Sequence, residues 1–223
     1  MRTDQDADRG VGSERRRTAA MAILAGIPCL VLTAFAAATS TALTLKADMA
    51  LTLLDTIVLV TAWHYAARPS VACGRVDRGE TIACALAAFS MTLSMAIVAA
   101  IAIHRLATGG LAPEGAGLVF GMSVNLAYAA VNLFILMRWR RRHRAAPSAL
   151  SRSQVCLFCD KLASNLLIGL SIAAALAFEG RPFAAYIDPA AGLLIAASTA
   201  RWTLPVFRDA LHGLRARSAR AEA

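Results

Sequence analysis

The chain has 223 residues and a formal net charge of +9, yet only 17% of its residues are charged and 58% are hydrophobic. Soluble domains carry about 25% charged residues, so this composition argues against a soluble globular protein and favours a membrane protein. The basic residues flank apolar stretches, which indicates membrane lipid, and not nucleic acid, as the expected partner.

Six stretches have the ~20 mostly apolar residues that a membrane-spanning helix needs. In chain order they are Ala19–Ala38, Ala47–Ala66, Thr81–Ile103, Gly117–Met137, Val155–Phe178 and Pro189–Val206. The second is interrupted by Asp48, Asp55 and His64, and polar residues within spans usually face the interior of a helix bundle. The sequence therefore predicts an all-α fold, a polytopic bundle of six transmembrane helices.

The arginines predict how the bundle is oriented. The N-terminus, the loop around Arg68–Arg78, the loop Arg138–Arg152 and the tail from Arg208 together hold 18 Lys and Arg residues, whereas the opposite loops hold three. Because cytoplasmic loops are enriched in Lys and Arg, we expect both termini in the cytoplasm, and the protein in the inner (plasma) membrane. Residues 1–17 are then a disordered basic N-terminus, 18–207 the six-span domain and 208–223 a short basic tail.

Two carboxylates lie where they are costly. Asp55 is inside the second span, and Asp160 opens the long apolar run of the fifth, just after Cys156 and Cys159. A carboxylate in a span is unfavourable unless it is paired, hydrated or bound to a cation.

Asp55, Cys156, Asp160 and Cys159 are therefore candidate metal ligands. Zinc accepts such mixed sulfur and oxygen ligands. A thiolate shifts selectivity towards zinc, cadmium or copper(I), whereas oxygen ligands alone favour manganese or magnesium. Because the ligands deprotonate when they bind metal, protons could exchange for the ion.

Four stretches resemble the cation diffusion facilitators, a family of six-span exporters of zinc, manganese, iron and related divalent ions. They are Ser40–Asp48 with Asp55, Ala149–Leu150 with Cys156–Asp160 and Ser164, Asp188–Ala196, and Leu204–Leu211. The resemblance extends over roughly Ala20–Leu214. It implies a proton-coupled exporter of divalent metal cations that forms homodimers and is neither an enzyme nor the holder of a prosthetic group. Zinc is the first expected cargo, followed by cadmium, manganese or iron.

The expected ligand positions depart from the family pattern, in which spans two and five each supply two ligands four residues apart. The corresponding residues here are Leu51 and Asp55, and Cys156 and Asp160. A second alignment of span five places Lys161 and Asn165 there instead, which would build an ammonium into the site. The metal-binding domain that commonly follows span six in the family is expected to be absent.

Other interpretations stay open. Asp55 could pair with Lys161 within the bundle, and Cys156 and Cys159 could be apolar fillers, the commonest fate of a buried cysteine. Because Leu51 cannot bind metal, the chain could be a non-transporting relative that serves as a membrane scaffold or dimerisation partner. An intramembrane thiol enzyme would rest on the two cysteines alone. Asp48 is expected only to cap its helix.

Overall fold

A computed structural model describes the backbone of residues 2–66, 78–109 and 113–221, and side chains within 16–64, 82–109, 113–208 and 211–212. These residues form six α-helices and no strand. The helices are α1 (Arg2–Ala38), α2 (Leu43–Ala66), α3 (Arg78–Ala107), α4 (Gly117–Ala145), α5 (Ala149–Ala177) and α6 (Ala184–Ala221). The predicted all-α polytopic class is confirmed.

Five of the described helices, all except α2, are long and apolar enough to cross a membrane. α2 holds Lys46, Asp48 and Asp55, which lower its hydropathy, but it packs along both α1 and α3. The chain is thus a multi-pass membrane protein. That α2 forms a sixth span, and that both termini are cytoplasmic, stay predictions.

The helices extend further than the predicted spans. Residues 1–17, expected to be disordered, fall largely within α1, which begins at Arg2, and α6 continues to Ala221. α5 begins at Ala149 because Ser148 caps it: the Ser148 hydroxyl accepts from the Ser151 amide, and the Ser151 hydroxyl accepts from the Ser148 amide. The loop at 67–77, with its arginines, lies outside the described residues.

This early start corrects the position of Asp160. The sequence placed it at the opening of the apolar run of the fifth span. In the structure it lies about three turns into α5. It is therefore a residue of the bundle interior, and 8% of its surface is exposed.

The beginning of α2 is capped from another helix. The buried Asp188 carboxylate of α6 accepts hydrogen bonds from the Leu43 amide at 2.7 Å, the Thr44 amide at 3.2 Å and the Thr44 hydroxyl at 2.6 Å. These amides lack partners within their own helix, and a carboxylate stabilises them. Asp48, which was expected to cap α2, lies beyond its first turn and faces the interior instead.

Two apolar clusters fill the bundle on either side of its middle. The inner cluster is centred on Trp139, Leu157 and Phe158 at the end where α4 finishes, and the outer cluster on Leu45 and Ile168 at the opposite end. Between them, α2 and α5 present the polar side chains described next. This arrangement places the polar residues about halfway along the helices.

α1 and α4 approach each other closely at two glycines. A Cβ atom at Gly117 would collide with the Ala36 carbonyl and the Thr39 hydroxyl, and one at Gly121 would lie 3.2 Å from the Cβ atom of Ala36 and 2.7 Å from a methyl of Leu45 in α2. Small residues allow helix backbones to pack at this distance in membranes. The close approach fixes α4 against the outer half of α1.

Candidate cation site in the bundle

A cavity of ≈ 30 Å³ lies between α1, α2, α3, α4 and α5. This volume admits water or a small ion and is far below the size of a pocket for an organic ligand. Among the described residues, its polar lining consists of Asp48, Thr52, Asp55, Ser94, Tyr128, Asn132, Asp160, Lys161, Ser164 and Asn165. A polar cavity halfway along the helices is a candidate site for a cation.

An ion pair joins α2 to α5 at this cavity. The Lys161 Nζ atom lies 2.8 Å from Oδ2 of Asp55, and these two side chains are 15% and 11% exposed. The Ser90 hydroxyl of α3 is 3.5 Å from the other oxygen of Asp55. The interpretation in which Asp55 pairs with Lys161 is therefore confirmed.

Neither of the other two aspartates forms an ion pair among the described residues. Asp160 accepts a hydrogen bond of 2.8 Å from the Thr199 hydroxyl of α6. Asp48 lies within the electrostatic influence of Lys161. Asp48 and Asp160 are 6% and 8% exposed, so water compensates little of their charge.

The site has more carboxylates than cations. Among its described lining residues are three aspartates, Asp48, Asp55 and Asp160, and a single basic group, Lys161. If all four were ionised, two negative charges would stay uncompensated in a setting where an unpaired charge is costly. In addition, the Ser164 hydroxyl lines the cavity, is 5% exposed and has no hydrogen-bond partner among the described residues. Both features indicate a site that accepts cations, protons included.

The four predicted metal ligands do not come together. Asp55 and Asp160 both line the cavity, but Cys156 and Cys159 pack in the inner cluster. The Cys159 sulfur lies 3.5 Å from a guanidinium nitrogen of Arg140, a residue of the basic run at the end of α4. Across the described part of the chain, no group of three or more His, Cys, Asp and Glu side chains is arranged to hold a metal ion.

The cavity also bears on the two alignments of span five. In α2, both residues at the expected ligand positions, Leu51 and Asp55, line the cavity. In α5, the preferred pair contributes only Asp160, whereas Lys161 and Asn165 of the second alignment both line it. The rotation of α5 thus places Lys161 and Asn165 at the cavity and Cys156 in the apolar cluster around Phe158.

Thr199 is the residue of this site that sequence reasoning missed. It lies in the apolar run of α6, where a threonine can bond to the backbone of its own helix and so gives no sign of a distant partner. Asn132 and Tyr128 of α4 also line the cavity. A buried carboxylate in α5 was the available signal that a neighbouring helix must supply a donor.

No protein-family model matches the chain, and a search of curated proteins finds no match. The fold and the site define a class, an all-α multi-pass membrane protein with a charged cavity inside its bundle. The resemblance to the cation diffusion facilitators stays a prediction drawn from the four sequence stretches.

Proposed function

We propose that this membrane protein is a secondary transporter that exports divalent cations in exchange for protons. The observation that supports this proposal is the charge balance of the cavity, where Asp48, Asp55 and Asp160 face one ammonium, that of Lys161. One divalent cation, or two protons, would neutralise the excess charge. Because metal binding displaces protons from its ligands, alternating occupancy by a divalent cation and by protons is a chemical basis for antiport.

The donor atoms of the cavity alter the expected order of metals. Its carboxylate, hydroxyl and amide oxygens suit manganese and iron(II), and zinc also accepts carboxylates. Cadmium was expected on account of thiolates, and Cys156 and Cys159 do not line the cavity. We therefore rank manganese, iron(II) and zinc above cadmium as cargo, with Asp55 and Asp160 as the principal ligands.

The cellular setting forms part of the same proposal. The distribution of arginines supports a protein of the inner (plasma) membrane with both termini in the cytoplasm. The cargo would then leave the cytoplasm, and protons would enter. Homodimer formation follows from the family resemblance and is proposed on that basis alone.

Uptake into proteoliposomes tests this function. The purified chain would be reconstituted, a pH gradient imposed, and uptake of Mn²⁺, Fe²⁺, Zn²⁺ and Cd²⁺ measured for the native protein and for Asp55→Asn and Asp160→Asn. We expect uptake that depends on the gradient and that either substitution abolishes. Glu179→Gln is a matched control, because Glu179 is an exposed carboxylate after the end of α5 and does not line the cavity.

A membrane scaffold or dimerisation partner is the second candidate. The ion pair between Lys161 and Asp55 favours it, because a built-in ammonium occupies a carboxylate that a transported cation would need. Under this alternative, well-folded protein takes up none of the four ions, and cross-linking in membranes recovers a stable homodimer or a complex. Uptake that survives both aspartate substitutions would also argue against the transport proposal as stated.

A further inference from the structure

Lys161 stands out among the basic residues of this chain. Of 23 Lys and Arg residues only two are lysines, Lys46 and Lys161. Lys46 is exposed, whereas Lys161 contacts the cavity from the middle of α5. An ammonium is a compact charge on a flexible four-carbon stem, unlike the planar guanidinium of arginine, which holds carboxylates in a fixed geometry. The basic group at the cavity is thus of the type that can change partners.

Two carboxylates of α2 lie within the influence of this ammonium. Its ion pair is with Asp55 at 2.8 Å, and it also interacts with the charge of Asp48. Asp48 and Asp55 are seven residues apart, which places both on one face of the helix about two turns from each other. A lysine side chain that leaves Asp55 therefore has a second carboxylate within the same cavity.

A cation entering the cavity would compete with the ammonium. To bind between Asp55 and Asp160, it needs the Asp55 oxygen that Lys161 now contacts, and two like charges at that distance repel strongly in a poorly hydrated site. The charge balance allows the cation and the ammonium to occupy the cavity together, provided that the ammonium moves away from Asp55. A divalent cation and the ammonium together neutralise the three aspartates.

We propose that Lys161 is a tethered competitor for the cation site, which pairs with Asp55 when no ion is bound and transfers to Asp48 when a divalent cation takes its place. This inference rests on the proposed function and specifies how the same site sets its affinity. It assigns opposite roles to two residues: Lys161 weakens cation binding, and Asp48 strengthens it by receiving the displaced ammonium.

The titratable groups that line the cavity around Lys161 are consistent with this exchange. α2 presents Asp48 and Asp55, and α1 presents the thiol of Cys29. α4 presents the phenol of Tyr128, and Asp160 precedes Lys161 in α5. Among these described neighbours no second basic group competes for the carboxylates.

Thermal unfolding in detergent, with Mn²⁺ and Zn²⁺ as probes, provides a test that does not depend on transport. A ligand that binds the folded state raises the unfolding temperature with a concentration dependence set by its affinity. We expect Lys161→Met to lower the half-effective cation concentration about ten-fold or more, and Asp48→Asn to raise it by about the same factor. In the Lys161→Met background, Asp48→Asn should have little effect, because no ammonium is left to receive.

Two further variants test the mobility of the charge and the effect of removing a lysine. Lys161→Arg keeps the positive charge but holds Asp55 in a fixed geometry, so it should raise the half-effective concentration, and Lys46→Met removes the exposed lysine and should change nothing. Should Lys161→Met fail to fold, Lys161→Arg decides the matter, because a purely structural lysine predicts the native half-effective concentration in this variant, whereas a competitor that must change partners predicts a raised one.

The outcomes separate the two proposals. If the native protein neither takes up nor is stabilised by any of the ions, the transport function fails, and this inference with it. If the native protein transports and is stabilised, but the half-effective concentration is the same in Lys161→Met and in Asp48→Asn, only the competitor role is overturned.

Discussion

Removing the charge of Lys161 should destabilise the folded bundle more than removing the charge of Asp55. Lys161→Met leaves three carboxylates, Asp48, Asp55 and Asp160, around a cavity with no described cation to compensate them. Asp55→Asn removes only one of three carboxylates, and Lys161 retains the other two as neighbours. The order of the two effects therefore follows from the excess of negative charge.

The magnitude can be worked from the ion-pair distance. At 2.8 Å and an effective dielectric constant of about 20, the attraction between two unit charges is ~6 kcal/mol, and the desolvation of both groups offsets much of it. Removing one partner of a buried pair costs about 3–5 kcal/mol, which we expect for Lys161→Met. For Asp55→Asn we expect about 1–3 kcal/mol, the range of a lost hydrogen bond to a charged group.

A double-mutant cycle measures the pair itself. The free energy of unfolding would be determined in mixed micelles for the native protein, both single variants and the combination, with Lys46→Met as the control for loss of a lysine. We expect a coupling energy of at least about 2 kcal/mol, within the range found for close charge pairs. If both single variants stay within about 0.5 kcal/mol of the native protein, the two side chains do not form a buried pair and the reasoning is refuted.

Three further predictions concern packing, capping and the thiols. Gly117→Ala should cost about 1–3 kcal/mol of unfolding free energy, because the added methyl collides with α1, whereas Gly26→Ala, where nothing lies within 4 Å, should stay near the native value. Asp188→Ala should cost about 1–3 kcal/mol in the same assay, since it removes a charged cap from the start of α2; an unchanged stability would show that this cap is dispensable. Substitution of both Cys156 and Cys159 by alanine should leave cation uptake in proteoliposomes unchanged. Loss of uptake in this double variant would show that the thiols take part in metal binding.

The helix ends, and the presence of charged residues inside the bundle, could be predicted from the sequence, because both depend on local composition. The predicted ends at Ala38 and Ala66 and the beginning at Gly117 coincide with those of α1, α2 and α4. Asp55 was recognised as an interior residue for the same reason, since no carboxylate is placed in such an apolar run without compensation.

Which side chains meet could not be predicted to the same degree, because it depends on the rotation of each helix about its axis. The two alignments of α5 differ by five residues, which at about 100° per residue rotates the inward face by about 140°, and that difference decides between Cys156 and Lys161 at the cavity. The partners of Asp160 and of the α2 amides, Thr199 and Asp188, both come from α6. Contacts between elements distant in sequence leave no local periodicity to detect.

The two proposed functions explain different parts of the same site. A scaffold requires only that Asp55 and Lys161 satisfy each other, and that pair would be complete without further acids. Asp48 and Asp160 then have no role, although each keeps a costly carboxylate inside the bundle without an ion pair of its own. Transport gives both a purpose, since a divalent cation and Lys161 together balance all three charges. The uncompensated carboxylates, more than the ion pair, therefore favour the transporter.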